Sequence, residues 1–299
     1  MEALCFRKKV IMNKRTVNIS SLVLLLSLLA LITTICLYYL IPQHYVSVIF
    51  AAVASVLLTH FFLESSLNYD YNFLHSASMT ISTLAFAICI YIIQPNEWIT
   101  FDSWLPCLVL INWLVPFLYC TLRDLFDRGP RFDGYHKFFN RMCIFFTFIY
   151  IFVITKQYFI TPLVPPYHNL EFGAHNFVPF MATGSYIEQA LKAGKNLDDF
   201  ILYATQIVCL GIPFGYLIRV ALRKLNFILR ILVYILFPTA LETAQYMTNC
   251  GRGDIDDAVF LLIGILIGLL LFHIMNTAFQ KIAARDFMIS RAQQKKYHF

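Results

Sequence analysis

Eight long apolar runs limit what this chain can become more than any other feature. They cover residues 18–41, 44–63, 75–93, 104–122, 142–160, 199–220, 225–247 and 255–275. A helix crossing a bilayer needs roughly 20 mainly apolar residues, and most of these runs reach or approach that length. With 59% hydrophobic and only 13% charged residues, the chain lacks the polar surface to cover eight such helices in water. The expected fold is therefore all-α: a polytopic helical membrane protein with eight crossings, whose first partner is the lipid bilayer. The first run follows a basic segment, as in a signal peptide. It is about twice as long as a signal-peptide core and no small-residue cleavage site follows it, so it reads as a retained anchor.

Orientation follows from the basic residues. All but Lys156, Lys192, Lys195 and Arg252 of the 23 lysines and arginines cluster in four places. These are the N-terminal tail, the segment after the fourth run, the turn between the sixth and seventh, and the C-terminal tail. Eight crossings put all four on one side, which the positive-inside rule makes cytoplasmic, with both termini inside. The net charge of +6 is thus accounted for by the membrane face, and no nucleic-acid partner is expected. Six of the eight cysteines lie within or at the ends of apolar runs and none forms a CxxC pair, so neither a disulfide framework nor a zinc site is signalled.

The chain reads as two halves. Residues 1–125 hold four crossings, 126–141 form a basic cytoplasmic linker, 142–277 hold four more with an outer loop at 161–198, and 278–299 form a basic tail. In the first half His60, Glu64 and Asp70 sit near span ends, where polar side chains reach headgroups or water. The outer loop is aromatic and interrupted by Pro162, Pro165, Pro166 and Pro179, which remove donors and fix φ. Ser185 and Glu188 have capping-box spacing for a short surface helix that Gly194 would end. The loop is expected to act as a lid over the last two crossings.

Residues 242–257, ETAQYMTNCGRGDIDD, concentrate polar groups at the edge of an apolar run. Charge there is costly and marks a functional site. Glu242 and Gln245 share a helix face with Tyr246 adjacent. Arg252 is the expected counter-charge, its planar fork suiting a carboxylate or a phosphate. Asp254 reads as the N-cap of the last helix, with Asp256 and Asp257 in its first turn. At least one of that last pair is expected to face the Glu242 pocket. No metal-ligand spacing is present, and no cofactor is expected; a divalent cation on Asp254–Asp257 is a minor alternative. His168 and His175 read as interfacial. Gly211-x-x-x-Gly215 and Gly264-x-x-x-Gly268 read as close-packing faces, and Pro213 is expected to kink the sixth crossing.

Several of these motifs occur in an order that resembles the VanZ-like family. They are Asn176-x-x-Pro179-Phe180, Pro213-Phe214-Gly215, Glu242-x-x-Gln245, Arg252-x-Asp254-Ile-Asp256-Asp257 and Gly264-x-x-x-Gly268, over about residues 138–277. Leu261 and Ile207 stand where the family pattern usually has asparagines. The resemblance implies a protein of the Gram-positive cell envelope that lowers susceptibility to the lipoglycopeptide teicoplanin. It adds Asn176, Pro179 and Phe180 to Glu242, Gln245, Arg252, Asp254, Asp256 and Asp257 as candidate ligand-binding residues. The leading expectation is an outward-facing pocket for a lipid-linked cell-wall precursor or a lipoglycopeptide. The second is an intramembrane enzyme acting on an envelope lipid, with Glu242 as general acid or base. A transporter is the third reading, weakened by the near absence of polar residues from the inner half of the last four crossings.

Overall fold

A computed structural model of the chain describes residues 2–93, 104–127, 131, 132, 134–166, 175–223, 225–251, 253–284 and 286–288, with side chains omitted at 2–18, 91–93 and 175. Its helices are α1 Glu2–Leu40, α2 Tyr45–Ser66, α3 Asp70–Ile93, α4 Trp104–Phe126, α5 Tyr135–Thr155, α6 Met181–Lys192, α7 Asp198–Ala221, α8 Phe227–Thr248 and α9 Ile255–Ile282. A π-helical turn, Lys156–Ile160, continues α5. Two short strands, β1 His175–Asn176 and β2 Gly253–Asp254, complete the described elements. Every helix but α6 contributes one of eight segments long and apolar enough to cross a membrane. Their outward apolar side chains, such as Phe148 at 70% exposure and Leu236 at 59%, suit a lipid solvent.

Two compact units divide the chain: Met1–Phe146 with Ala278–Phe299, and Thr147–Thr277. In the first, α1 to α4 pack on one another. The α2–α3 turn is tighter than the apolar pattern predicts. Leu67 takes a left-handed conformation, φ 55°, and Asn68 Oδ1 accepts the Asp70 amide at 3.0 Å, so α3 begins at Asp70 instead of 75. Likewise α5 begins at Tyr135, inside the expected 126–141 linker. Tyr135, Phe138, Phe139 and Met142 fall at helical spacing and are all buried, which carries the helix through a stretch that looks polar. Glu64 is bridged by Arg123 at 2.9 Å and Arg131 at 2.6 Å, and Asp70 by Arg141 at 2.9 Å.

In the second unit the four glycines set the approach of α7 to α9. A Cβ on Gly211 would lie 2.2 Å from the Leu261 carbonyl oxygen, and one on Gly215 2.1 Å from that of Ile265. Reciprocally, Cβ atoms on Gly264 and Gly268 would meet the carbonyls of Val208 and Ile212 at 2.0 and 2.1 Å. Backbone therefore rests on backbone along two turns of each helix, the arrangement expected of small residues four apart. Leu261 and Ile207 are buried beside this seam. Helix α7 runs on through Pro213 to Ala221.

The short surface helix corrects the reading of its start. It begins at Met181, so Ser185 and Glu188 lie inside it and form no capping box; Glu188 instead pairs with Lys192 one turn on. Its cap comes from a distant residue, described below. Gly194 does end it, at φ +62°, with the Lys195 amide donating to the Ala190 carbonyl at 2.9 Å.

Candidate functional site

The site starts from two residues of pairing. Strands β1 and β2 run parallel, His175 opposite Gly253 and Asn176 opposite Asp254. This fastens the segment before α6 to the one that opens α9. Asn176 Nδ2 then donates to Asp254 Oδ1 at 2.8 Å and to Asp256 Oδ2 at 3.3 Å.

Asp256, with no exposed surface, is the hub. Its Oδ1 accepts the Phe180 amide at 2.5 Å, and its Oδ2 accepts the Thr183 hydroxyl at 2.7 Å and the Thr183 amide at 3.3 Å. One carboxylate thus caps the first turn of α6 from another helix, which no local pattern could signal. It also holds Phe180 at φ 62°, a left-handed conformation uncommon for a side chain of this size. Asp254 Oδ1 accepts the Asp256 amide at 3.0 Å, the bond expected of an N-cap.

Behind the capped loop, the Asp254 amide donates to Glu242 Oε2 at 3.2 Å. Glu242 is buried, and its Oε1 has no hydrogen-bond partner among the described residues. Asp257 and Tyr158 lie within electrostatic range of it. Gln245, three residues on, donates from Nε2 to the Tyr158 carbonyl at 2.8 Å. That carbonyl lies in the π-helical turn, where Thr161 N bonds back to Lys156 O at 2.8 Å and the ordinary helical register is broken. On α7, Tyr203 donates its hydroxyl to Asp257 Oδ2 at 2.6 Å.

Several of these side chains border a small cleft with a volume of about 40 Å³. Gln157, Tyr158, Tyr203, Gln245, Asp254 and Asp257 give it polar groups, while Pro162, Leu163, Pro165, Ile207 and Leu210 give it an apolar wall. The described lining contains carboxylates but no lysine or arginine. The described lining thus sets hydrogen-bonding groups beside apolar ones.

The comparisons with known proteins fall on the same stretch. The family model described as VanZ/LLP1 matches residues 142–276. This part of the chain is a VanZ-like domain. Over 130 residues the chain is 26% identical to Protein VanZ of Enterococcus faecium, an alignment covering 44% of this chain and 69% of that protein. No solved structure matches. The matched residues nearly coincide with the compact unit Thr147–Thr277, so the chain is a multi-pass membrane protein with its VanZ-like domain in the second half.

Within the VanZ-like domain the structure gathers Asn176, Glu242, Gln245, Asp254, Asp256 and Asp257 into one neighbourhood, but with different tasks. The polar atoms of Asn176 and Asp256 named above are spent on the loop, whereas Gln245, Asp254 and Asp257 border the cleft. Pro179 and Phe180 lie in the turn before α6 with exposed side chains; Phe180 contributes through its backbone amide. Arg252 and His168, and the side chain of His175, lie outside the described residues.

Gln157, Tyr158 and Tyr203 are cleft residues that the sequence reading missed. Their signal was slight: a glutamine and two tyrosines in otherwise apolar helices, where tyrosine passes for core. Among the described residues no group of three or more His, Cys, Asp or Glu could hold a metal ion.

Proposed function

We propose that the VanZ-like domain binds an amphipathic envelope ligand, a lipid-linked cell-wall precursor or a lipoglycopeptide, at the outer surface of the membrane. The observation that carries this reading is the mixed lining of the cleft, polar at Asp254, Asp257 and Tyr203 and apolar at Pro162, Leu163 and Leu210. Its carboxylates suit the amines and sugar hydroxyls of such a ligand, and its apolar wall suits a lipid tail or aromatic rings. The distribution of lysine and arginine supports an outward mouth, because all four basic clusters fall on the opposite side in an eight-crossing topology. On this reading Arg252 engages an anionic group, and the family's association with teicoplanin reflects capture of drug or target at the outer leaflet.

The test is teicoplanin susceptibility in a Gram-positive host carrying wild type, Asp257→Asn or Tyr203→Phe, with membrane levels matched. The expected result is protection by the wild type that both variants weaken. Equal protection by all three would overturn the assignment of the cleft.

A second reading, envelope-lipid modification, is favoured by one observation: Glu242 Oε1 is buried without a partner among the described residues, next to the cleft acids. Here Glu242 would move a proton as general acid or base. Lipid profiles of cells with and without the protein separate the two. A headgroup-modified species that Glu242→Gln abolishes supports chemistry, and an unchanged profile supports binding alone.

A further inference from the structure

The first unit holds buried polar atoms that the VanZ-like domain does not use. In membrane helices serine and threonine hydroxyls ordinarily bond back to the carbonyl one turn earlier. Thr34, Thr83 and Thr121 do so here, at 2.8, 2.8 and 2.6 Å. Ser55, Thr59 and Thr80 do not. Each is at most 1% exposed, and each hydroxyl has no partner among the described residues. Asn112 Oδ1 and His75 Nε2 are in the same condition, on residues with no exposed surface.

These atoms come to one depth. Helices α2 and α3 fold back about the Leu67–Tyr69 turn, and the Phe62 and His75 rings meet with centroids 5.4 Å apart. Thr59, three residues before Phe62, therefore stands level with Ser78, within about 3 Å of the depth of Thr80. Ser76 Oγ donates to the Asn112 carbonyl at 3.0 Å, and Asn112 Nδ2 donates to Thr83 Oγ1 at 2.9 Å, so Asn112 also lies level with Thr80. Its amide nitrogen is thereby engaged, which leaves Oδ1 as the unmatched atom. Ser55 and His75 follow one turn to either side. Asn112 and Thr80 lie well inside the spans Trp104–Phe126 and Asp70–Ile90, hence at mid-membrane. Polar groups at that depth are costly unless something satisfies them.

We propose that α2, α3 and α4 enclose a hydrated polar site at mid-membrane, centred on Thr59, Thr80 and Asn112, with water as its resident ligand. Water fits because it donates to Asn112 Oδ1 and accepts from hydroxyls, making two to four bonds as internal waters do. A sodium ion could use the same oxygens, but residues 45–63, 71–93 and 104–122 contain no Asp, Glu, Lys or Arg to compensate its charge. The first unit therefore carries a wet centre of its own, a place where water and the His75 imidazole meet inside the bilayer.

The test is hydroxyl-radical footprinting of the whole protein in lipid, with water of heavy oxygen as the source of label. Met79, on α3 beside the site, and Met142 on α5 are both essentially buried, at 1% and 0% exposure, and serve as paired reporters. The expected result is heavy-oxygen label at Met79 and none at Met142. Thr59→Val together with Thr80→Val, isosteric and free of hydroxyls, should abolish the Met79 label while leaving the protein folded. Absence of label at Met79 in wild type, with the exposed Met247 labelled, overturns the proposal. Label that survives in choline but disappears when sodium is added also overturns it, in favour of a cation.

Discussion

Replacing Asp256 by asparagine keeps its shape and removes its charge, so it isolates what the hub contributes. Four donors reach this carboxylate: the Phe180 amide at 2.5 Å, the Thr183 hydroxyl at 2.7 Å, and the Thr183 amide and Asn176 Nδ2 at 3.3 Å. An asparagine oxygen placed at Oδ2 keeps three of them. Its NH₂ then faces the Phe180 amide, donor against donor, at a residue already in a left-handed conformation. Losing one charge-assisted bond costs about 1.5–3 kcal/mol, and neutralising the acceptor of the other three weakens each by a fraction of that. Allowing for shared losses within one network, the expected cost is about 3–5 kcal/mol.

That cost should appear locally, as release of β1 and the first turn of α6, more than as loss of all the helices. Limited proteolysis in detergent reads it directly, because Phe177, Val178 and Phe180 are exposed sites beside the latch. At a factor of ten per 1.4 kcal/mol, the open population rises by roughly 10²–10⁴-fold, and cleavage near residue 178 with it. Cleavage at the wild-type rate, with an unchanged melting temperature, would refute the claim that this carboxylate holds the loop.

Gly211→Ala and Gly268→Ala should each cost about 1–3 kcal/mol in thermal melts, since a Cβ 2.1–2.2 Å from a carbonyl forces α7 and α9 apart. Gly184→Ala, with nothing within 4 Å of its Cβ, should be neutral or slightly stabilising as the control. Tyr203→Phe should lower stability by about 1–3 kcal/mol by removing the donor to Asp257, and a double-mutant cycle with Asp257→Asn should show coupling of the same order. Burial, then the Asp124 carboxylate, raise the Tyr69 phenol above its ordinary range. Its contribution is fully present below the unfolded value of about 10 and is lost as pH rises beyond it, so the stability difference between wild type and Tyr69→Phe should shrink in an alkaline titration above about pH 10.

The long-period features of the fold were legible because they are written in many residues at once. Eight apolar runs became eight helices long and apolar enough to cross a membrane, and glycines four apart became the α7–α9 contact. Helix starts were less so. Asn68 and Tyr135 begin or cap helices in stretches whose polar letters resemble loop, and burial of Tyr135 and Phe138 decides the matter only in three dimensions. Glu242, Gln245 and the three aspartates were recognisable by the cost of charge in an apolar setting. Their individual tasks were not, because the partners are remote: Gln245 bonds a carbonyl 87 residues away and Asp256 an amide 76 residues away. The uncharged seam at Ser55, Thr59, Thr80 and Asn112 was missed for the opposite reason. Each is a small interruption in an apolar run, and only their common depth makes them a group.

The short ladder between 175–176 and 253–254 has a consequence for biogenesis. A ribosome releases Asn176 well before Asp254, which follows 78 positions later. Throughout that interval α7 and α8 are being threaded into the bilayer while α6 waits uncapped. The pocket therefore cannot mature piecemeal; its door and frame meet only once the final helix arrives, and a chain stalled before Gly253 would carry most of the domain and none of its latch.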